Sequence, residues 1–295
     1  MSGRRTRTGL GQRLRARVRW HLGLGSVLER LGAAEQELAA VRARSELAVE
    51  RARHFEELAA TTAGVALMPP SDTLISVVMP TRNRARLLPE AIATVLAQGH
   101  AHWELLVIDD VSEDDTQAVL AGYDDPRIRV LRSDGGPGAS IARNAALEHA
   151  RGEVVAYLDD DNLMAPGWLR AVAKAFDEDP GLQLAYGARV REDEDGRVGI
   201  EVVPWNSELL RRHNFMDQNV IAHRRGLSGV RYDPALDFAS DWDVALRLTR
   251  TITPLSIPAL AVVYRIDTPG RLSDNHEARA GWREVVRRAL SDDPA

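Results

Sequence analysis

The sequence predicts an α/β fold built on a mostly parallel sheet, and three observations carry that reading. Between about residues 72 and 180, short apolar runs alternate with stretches of helical spacing. The runs are continuous rather than alternating, as expected of strands covered on both faces. Each run ends in polar residues, most plainly in Asp159-Asp160-Asp161 after Val154-Val155-Ala156-Tyr157-Leu158. Strands separated by helices of this length imply right-handed crossovers and a Rossmann-like parallel sheet.

The elements follow in order. Leu74–Met79 is the first expected strand. Arg86–Gln98 has helical spacing through Leu87, Ile92, Val95 and Leu96. Glu104–Ile108 is the second strand and ends at Asp109-Asp110. Ser112–Ala121 reads as a short helix, with Ser112 as its cap and Asp115 as a first-turn acid. Ile128–Leu131 is the third strand, Ala139–Ala150 a helix, Val154–Leu158 the fourth strand, and Trp168–Phe176 a helix after Pro166. Beyond residue 181 the pattern is less regular. Leu182–Arg191 and Arg197–Val203 read as a hairpin, Asp241–Arg250 as a helix, Pro258–Arg265 as a strand and Glu277–Leu290 as an amphipathic helix.

Three regions are expected: a basic arm and helical segment over 1–70, a subdomain of alternating strands and helices over 71–180, and a less regular subdomain with a C-terminal helix over 181–295. In the first, Val27, Ala34, Val41, Ala48 and Phe55 occupy one heptad position, and Leu31, Leu38, Ser45, Ala52 and Ala59 the other. That spacing predicts a coiled coil over 24–60, and through it a homo-oligomer. Seven arginines and no acid fall in residues 1–20, whereas the whole chain carries a net charge of −5. A basic arm on an acidic body is suited to peripheral contact with an anionic membrane.

Composition narrows the chemistry. The 295 residues contain no cysteine, which removes disulfides, thiolate metal sites and cysteine nucleophiles. No apolar stretch approaches the ~18 residues of a membrane span, and the N-terminus lacks the apolar core of a signal peptide. A cytoplasmic location, peripheral to the inner face of the membrane, is the expectation.

The strand tips carry the functional signal. They hold Pro80-Thr81-Arg82-Asn83, then Asp109-Asp110, then the glycine-rich stretch from Ser133 to Ser140 with Arg143-Asn144, and last the aspartate triplet. Parallel strands share a carboxyl edge, so these distant segments converge where open α/β sheets bind ligands. Consecutive carboxylates are hard oxygen donors suited to Mg²⁺ or Mn²⁺, and such ions hold phosphates. An Asp-x-Asp alone is most often a solvated loop; the joint occurrence of four tips is not accounted for that way.

Four segments together resemble the inverting family 2 glycosyltransferases of the GT-A fold. They are Ser76-Val77-Val78-Met79-Pro80-Thr81-Arg82-Asn83-Arg84, Val107-Ile108-Asp109-Asp110-Val111-Ser112, Gly138-Ala139-Ser140-Ile141-Ala142-Arg143-Asn144 and Tyr157-Leu158-Asp159-Asp160-Asp161. Downstream, Ser240-Asp241-Trp242-Asp243 is similar to the family's Glu-Asp segment, and Tyr264-Arg265 to its late Tyr-Arg motif. The resemblance implies a nucleotide-diphosphate sugar donor, bound by the 71–180 subdomain, and a glycan, glycolipid or natural-product acceptor, bound by the 181–295 subdomain. It places Pro80, Thr81, Asn83, Asp109, Asp110, Arg143, Asp159 and Asp160 around the nucleotide, with Asp110 or Asp109 reading the base. Asp159 and Asp161 would hold a divalent metal, Mg²⁺ or Mn²⁺, and Asp241 would be the general base.

Two departures stand out. Ser240 replaces the more usual Glu, and Ile266-Asp267-Thr268 stands where many relatives place a metal-side His, so Asp267 or His276 is a candidate substitute. Trp242 and Trp205 are candidates for a ring under the sugar. Rival readings lack their signatures. A nucleotidylyltransferase or a dinucleotide enzyme requires glycines directly after the first strand, and Thr81–Arg86 has none. The alternative outside enzymes is a silent nucleotide-binding scaffold acting through the N-terminal coiled coil.

Overall fold

The computed structural model describes residues 29–39, 41–42, 64–133, 136, 138–193, 195, 198–236, 238–266, 282–285 and 287–288. Two compact units divide at Ala52 and Arg53. In the first, the described residues 29–39 and 41–42 are helical. Leu31, Leu38 and Val41, on the expected heptad positions, are each about half exposed. The arginine arm lies outside the described residues, as do most of 24–60.

The second unit is organised by a nine-stranded mixed sheet in the order β3-β2-β1-β4-β8-β6-β9-β5, with β7 paired to β6. The strands are β1 (Ile75–Thr81), β2 (Trp103–Asp109), β3 (Ile128–Arg132), β4 (Val154–Tyr157), β5 (Leu163–Met164), β6 (Leu184–Glu192), β7 (Val198–Glu201), β8 (Ile221–Arg224) and β9 (Leu255–Arg265). β1 pairs in parallel with β2 and β4, and β2 with β3. This parallel half is the α/β winding that the sequence predicts. β8 then runs antiparallel to β4 and β6, and one continuous sheet spans the regions on either side of residue 180.

Burial follows the apolar runs. All seven residues of β2 are buried, and only Pro80 of β1 is not. Helices α1 (Leu88–Leu96), α2 (Thr116–Ala121), α3 (Ala139–His149), α4 (Trp168–Glu178), α5 (Ser207–Leu210) and α6 (Ser240–Leu248) complete the unit. The apolar stripes of α1 (Leu88, Ala91, Ile92, Val95) and α4 (Trp168, Leu169, Val172, Phe176) are buried. Each large side chain so covered contributes about 1.5–3 kcal/mol. The hairpin of β6 and β7 is antiparallel, as its alternation predicts.

The differences from sequence have local causes. α2 begins at Thr116, not Ser112, and Asp115 takes the cap position. Ser112 Oγ instead accepts a bond from Asn83 N at 2.9 Å, so it joins two strand tips rather than capping a helix. β5, α5 and β8 were not expected. The first two have only two and four residues, and β8 is a four-residue run too short to show a period.

A buried polar knot closes the amino edge of the sheet. Ser76 Oγ donates to Glu104 Oε1 at 2.7 Å and accepts from Gly152 N at 2.8 Å. A Cβ on Gly152 would lie 2.5 Å from Ser76 N and 2.7 Å from Leu74 O. Ser76 N belongs to the paired strand β1 and Leu74 O accepts from Glu153 N at 2.8 Å, so neither moves aside freely. We expect Gly152→Ala to cost about 1–3 kcal/mol, the usual range for overpacking. Urea unfolding monitored by circular dichroism measures it, and an unchanged midpoint would refute the clash.

Candidate active site

The carboxyl ends of β1, β2, β3 and β4 form one edge. Thr81, Asp109 and Arg132 stand side by side in register there, and Tyr157 of β4 pairs with Val78. The β1 and β2 tips are latched. Asn83 N donates to Ser112 Oγ, and Asn83 Oδ1 accepts from Glu113 N at 2.7 Å.

The two aspartates after β2 separate in role. Asp109 is spent on its own loop: Oδ1 accepts from Ser112 N at 2.9 Å, and Oδ2 from Gln117 Nε2 at 3.0 Å. Asp110 uses only Oδ2, which accepts from Gly138 N at 2.7 Å. Gly138 meets it with φ +147°, a conformation that side chains other than glycine rarely adopt. Asp110 Oδ1 and Arg143 Nε are buried without a protein partner. Orphaned buried polar atoms are costly and rare. Asn162, Asn214 and Gln218 at this same edge each carry another. α3 enters the edge with no side-chain cap, so its first-turn amides are not taken up by a capping side chain.

The aspartate triplet divides its members. Asp159 Oδ1 accepts from Arg143 Nη2 at 2.7 Å, and Oδ2 from Asn219 Nδ2 at 2.9 Å. Asp160 is buried, its Oδ1 3.7 Å from Arg84 Nε. Burial pushes its carboxyl up to about 7; the Thr81 hydroxyl and Arg84 pull it back, while Asp161 and Asp159 add repulsion. Asp161 is also buried, and its charge reaches Arg265 on β9. Asn162 Oδ1 accepts from Arg265 N at 3.0 Å, tying the triplet to the Tyr264-Arg265 segment.

Asp241 enters from the other side, in the first turn of α6. With Ser240 in place of a glutamate, it is held by other groups: Asn214 Nδ2 at 3.1 Å, Gln218 N at 3.3 Å and Trp242 N at 2.8 Å. Burial raises its carboxyl above the ordinary carboxylate value, the charge of Asp217 adds to this, and Arg143 opposes it. Asp243 faces elsewhere, bonded to Arg247 Nε at 2.8 Å.

Backbone strain gathers at the same edge. Among the described residues, the non-glycine residues with positive φ are Asn83 (53°), Val111 (59°) and Ala239 (60°). They follow β1, follow β2 and precede α6. Such conformations cost about 1–3 kcal/mol each and collect where a site over-determines them.

The expected residues do not all converge. Trp242 is fully buried, its indole N–H on Leu210 O at 2.7 Å and its ring 4.9 Å from that of Trp282. It is therefore a core residue and offers no face to a sugar. Trp205 is partly buried and packs edge-on to Phe215 at 6.5 Å. Asp267 and His276 lie outside the described residues. Sequence reasoning also missed Asn214, Asp217, Gln218 and Asn219, whose only signal is a polar triplet ahead of the apolar Val220-Ile221-Ala222.

Among the described residues no three His, Cys, Asp or Glu side chains form a metal cage. Mg²⁺ needs none, since it is usually held by one or two carboxylates together with water and substrate phosphates. The hard oxygens of Asp161 and Asp159 fit that donor set.

The family described as "Glycosyl transferase family 2" matches residues 76–227, more than half of the chain and all four strand tips. The chain belongs to glycosyl transferase family 2. It is 34% identical over 238 residues to the uncharacterized protein y4gI of Sinorhizobium fredii, covering 74% of this chain and 25% of that one. It is 41% identical over 92 residues to WfgD of Escherichia coli, "UDP-Glc:alpha-D-GlcNAc-diphosphoundecaprenol beta-1,3-glucosyltransferase", covering 31% of this chain and 36% of WfgD. The chain thus spans about a quarter to a third of these relatives. The mannosyltransferase PcManGT of Pyrobaculum calidifontis, solved "in complex with GDP-Man and Mn2+", shares the fold with a TM-score of 0.57 at 20% identity, over 84% of this chain and 76% of that one. These likenesses place the sheet in the GT-A class. No helix among the described residues is long and apolar enough to cross a membrane.

Proposed function

We propose that this chain is an inverting glycosyltransferase. It moves a sugar from a nucleotide-diphosphate donor to an acceptor hydroxyl in a single displacement. The observation that carries the reading is the convergence of unpartnered buried polar atoms on Asp110 and Arg143 beside the aspartate tip. Asp110 reads the nucleobase with its unused Oδ1, while Asp109 holds the loop. The diphosphate lies toward the uncapped N-terminus of α3, where backbone amides and the helix dipole favour anions.

Asp241 removes the acceptor proton as the acceptor oxygen attacks the anomeric carbon. The bond from that carbon to the diphosphate oxygen breaks, and the nucleoside diphosphate leaves with the electron pair. A divalent cation held by Asp161 and Asp159 would neutralise charge on the leaving diphosphate. No covalent intermediate forms. The acceptor of WfgD, by its name, is a diphosphoundecaprenol-linked sugar, and a lipid-linked or glycan acceptor is our reading here also.

Release of nucleoside diphosphate from a panel of UDP-, GDP- and dTDP-sugars, with Mn²⁺, Mg²⁺ or chelator, tests the proposal. Metal-dependent release from one donor is expected. Donor binding without turnover would leave the silent nucleotide-binding scaffold as the better account, and neither release nor binding of any donor would overturn the enzyme reading.

We also propose that the helix through Leu31, Leu38 and Val41 pairs with a second copy, since its apolar heptad positions are exposed in the single chain. Sedimentation at micromolar concentration should give an oligomer, and deletion of residues 24–60 a monomer. A monomeric full chain would refute it.

A further inference from the structure

The turn between α5 and β8 touches both ends of the site. Residues Gln218–Val220 form a short 3₁₀ turn. Its Asp217, Gln218 and Asn219 are all polar and all buried. Burial of three such groups is costly unless each is bonded, and the bonds they make are directional.

Asn219 Oδ1 accepts from the backbone N of Asp159 at 2.7 Å. An N–H can only donate, so this contact fixes which way the amide faces. Its Nδ2 is thereby turned onto Asp159 Oδ2 at 2.9 Å and Asp217 Oδ1 at 3.2 Å. The reversed amide would set N–H against N–H, and oxygen against two carboxylates. Asp217 Oδ1 also accepts from Asn219 N at 2.9 Å. Asp217 is anchored in turn by the guanidinium of Arg189 on β6, which holds Glu201 on β7 at 2.9 Å as well. One residue earlier than Asn219, the backbone N of Gln218 donates to Asp241.

We infer that Asn219 is a positioning residue: it sets the Asp159 carboxylate at the nucleotide end and ties it to the turn that holds Asp241. The inference rests on the glycosyltransferase reading for what Asp159 does. Asn219 itself touches no reacting atom; it works through Asp159. With Asn219 on Oδ2 and Arg143 on Oδ1, the carboxylate is held from both oxygens. Partners that orient a ligating carboxylate typically contribute about 10–100-fold in affinity.

The test is a double-substitution cycle read by titration calorimetry with UDP and with GDP, each in Mn²⁺. Asn219→Ala should weaken binding of the nucleotide that wild type takes by about tenfold or more. In an Asp159→Asn background the same change should have little further effect, because its route to the nucleotide is already broken. A merely structural role predicts equal losses in both backgrounds. Near-UV circular dichroism confirms folding, and Asn219→Ser replaces the alanine variant if that variant does not fold. Undiminished affinity in the folded variant, or losses that simply add, would overturn the inference. Failure of wild type to bind either nucleotide would instead strike at the donor-site reading, and the inference would fall with it.

Discussion

Asp241→Asn is expected to lower the rate of sugar transfer by about 10²–10⁴-fold, the usual contribution of a positioned acid–base group. Binding of nucleoside diphosphate should stay close to wild type, because the hydrogen bonds of Asp241 go to Asn214, Gln218 and Trp242 and not to the residues assigned to the nucleotide. The substitution keeps the size of the side chain but removes its charge, its ability to accept a proton and one of the two oxygens that accept from Asn214, Gln218 and Trp242, so circular dichroism is recorded to show that the variant folds. The pH profile supplies a second readout. A base works when deprotonated, so raising its pKa moves the acid limb of the rate profile to higher pH. Burial and Asp217 both raise Asp241. Asp217→Asn should therefore shift that limb to lower pH, the direction set by removing a negative neighbour. A shift to higher pH, or full activity in Asp241→Asn, would remove Asp241 from the role.

Asp161→Asn should produce the second large effect, on affinity. An amide cannot replace the charge of a carboxylate facing a divalent cation. Disturbing the partners of metal ligands already costs about 10–100-fold, so losing a ligand should weaken Mn²⁺-dependent nucleotide binding by more than about 100-fold. Chelator should reduce wild type to the same level and leave the variant unchanged. Equal chelator sensitivity in both proteins would mean that Asp161 does not hold the cation. Asp160 makes a useful contrast: its carboxylate lies beside Arg84, and its replacement should leave chelator sensitivity as in wild type.

The elements that were legible in the sequence share one property. β1, β2 and β4 are buried runs whose ends are marked by a change to polar residues, and this change also announced the site. What escaped is set by contacts between segments distant in the chain. Ser112 looks like a helix cap until Asn83 claims its hydroxyl. Asp109 and Asp110 are interchangeable as letters, and only the bonds from Ser112 and Gln117 show that Asp109 is committed to the loop. Trp242 follows Asp241 directly, yet helical geometry turns it into the core against Leu210 and Trp282. Asn219 lies 60 residues from Asp159, and no local pattern joins them; the antiparallel pairing of β8 with β4 does.

The central claim is a single displacement with Asp241 as the base, and the anomeric configuration of the product tests it most directly. Once the donor panel has identified the sugar, proton NMR of the transfer product, recorded before any mutarotation, reports that configuration. The account predicts inversion relative to the donor in wild type, with product from Asp241→Asn forming about 10²–10⁴-fold more slowly. Retention would contradict it, because it would require a second displacement that this arrangement of carboxylates is not proposed to perform.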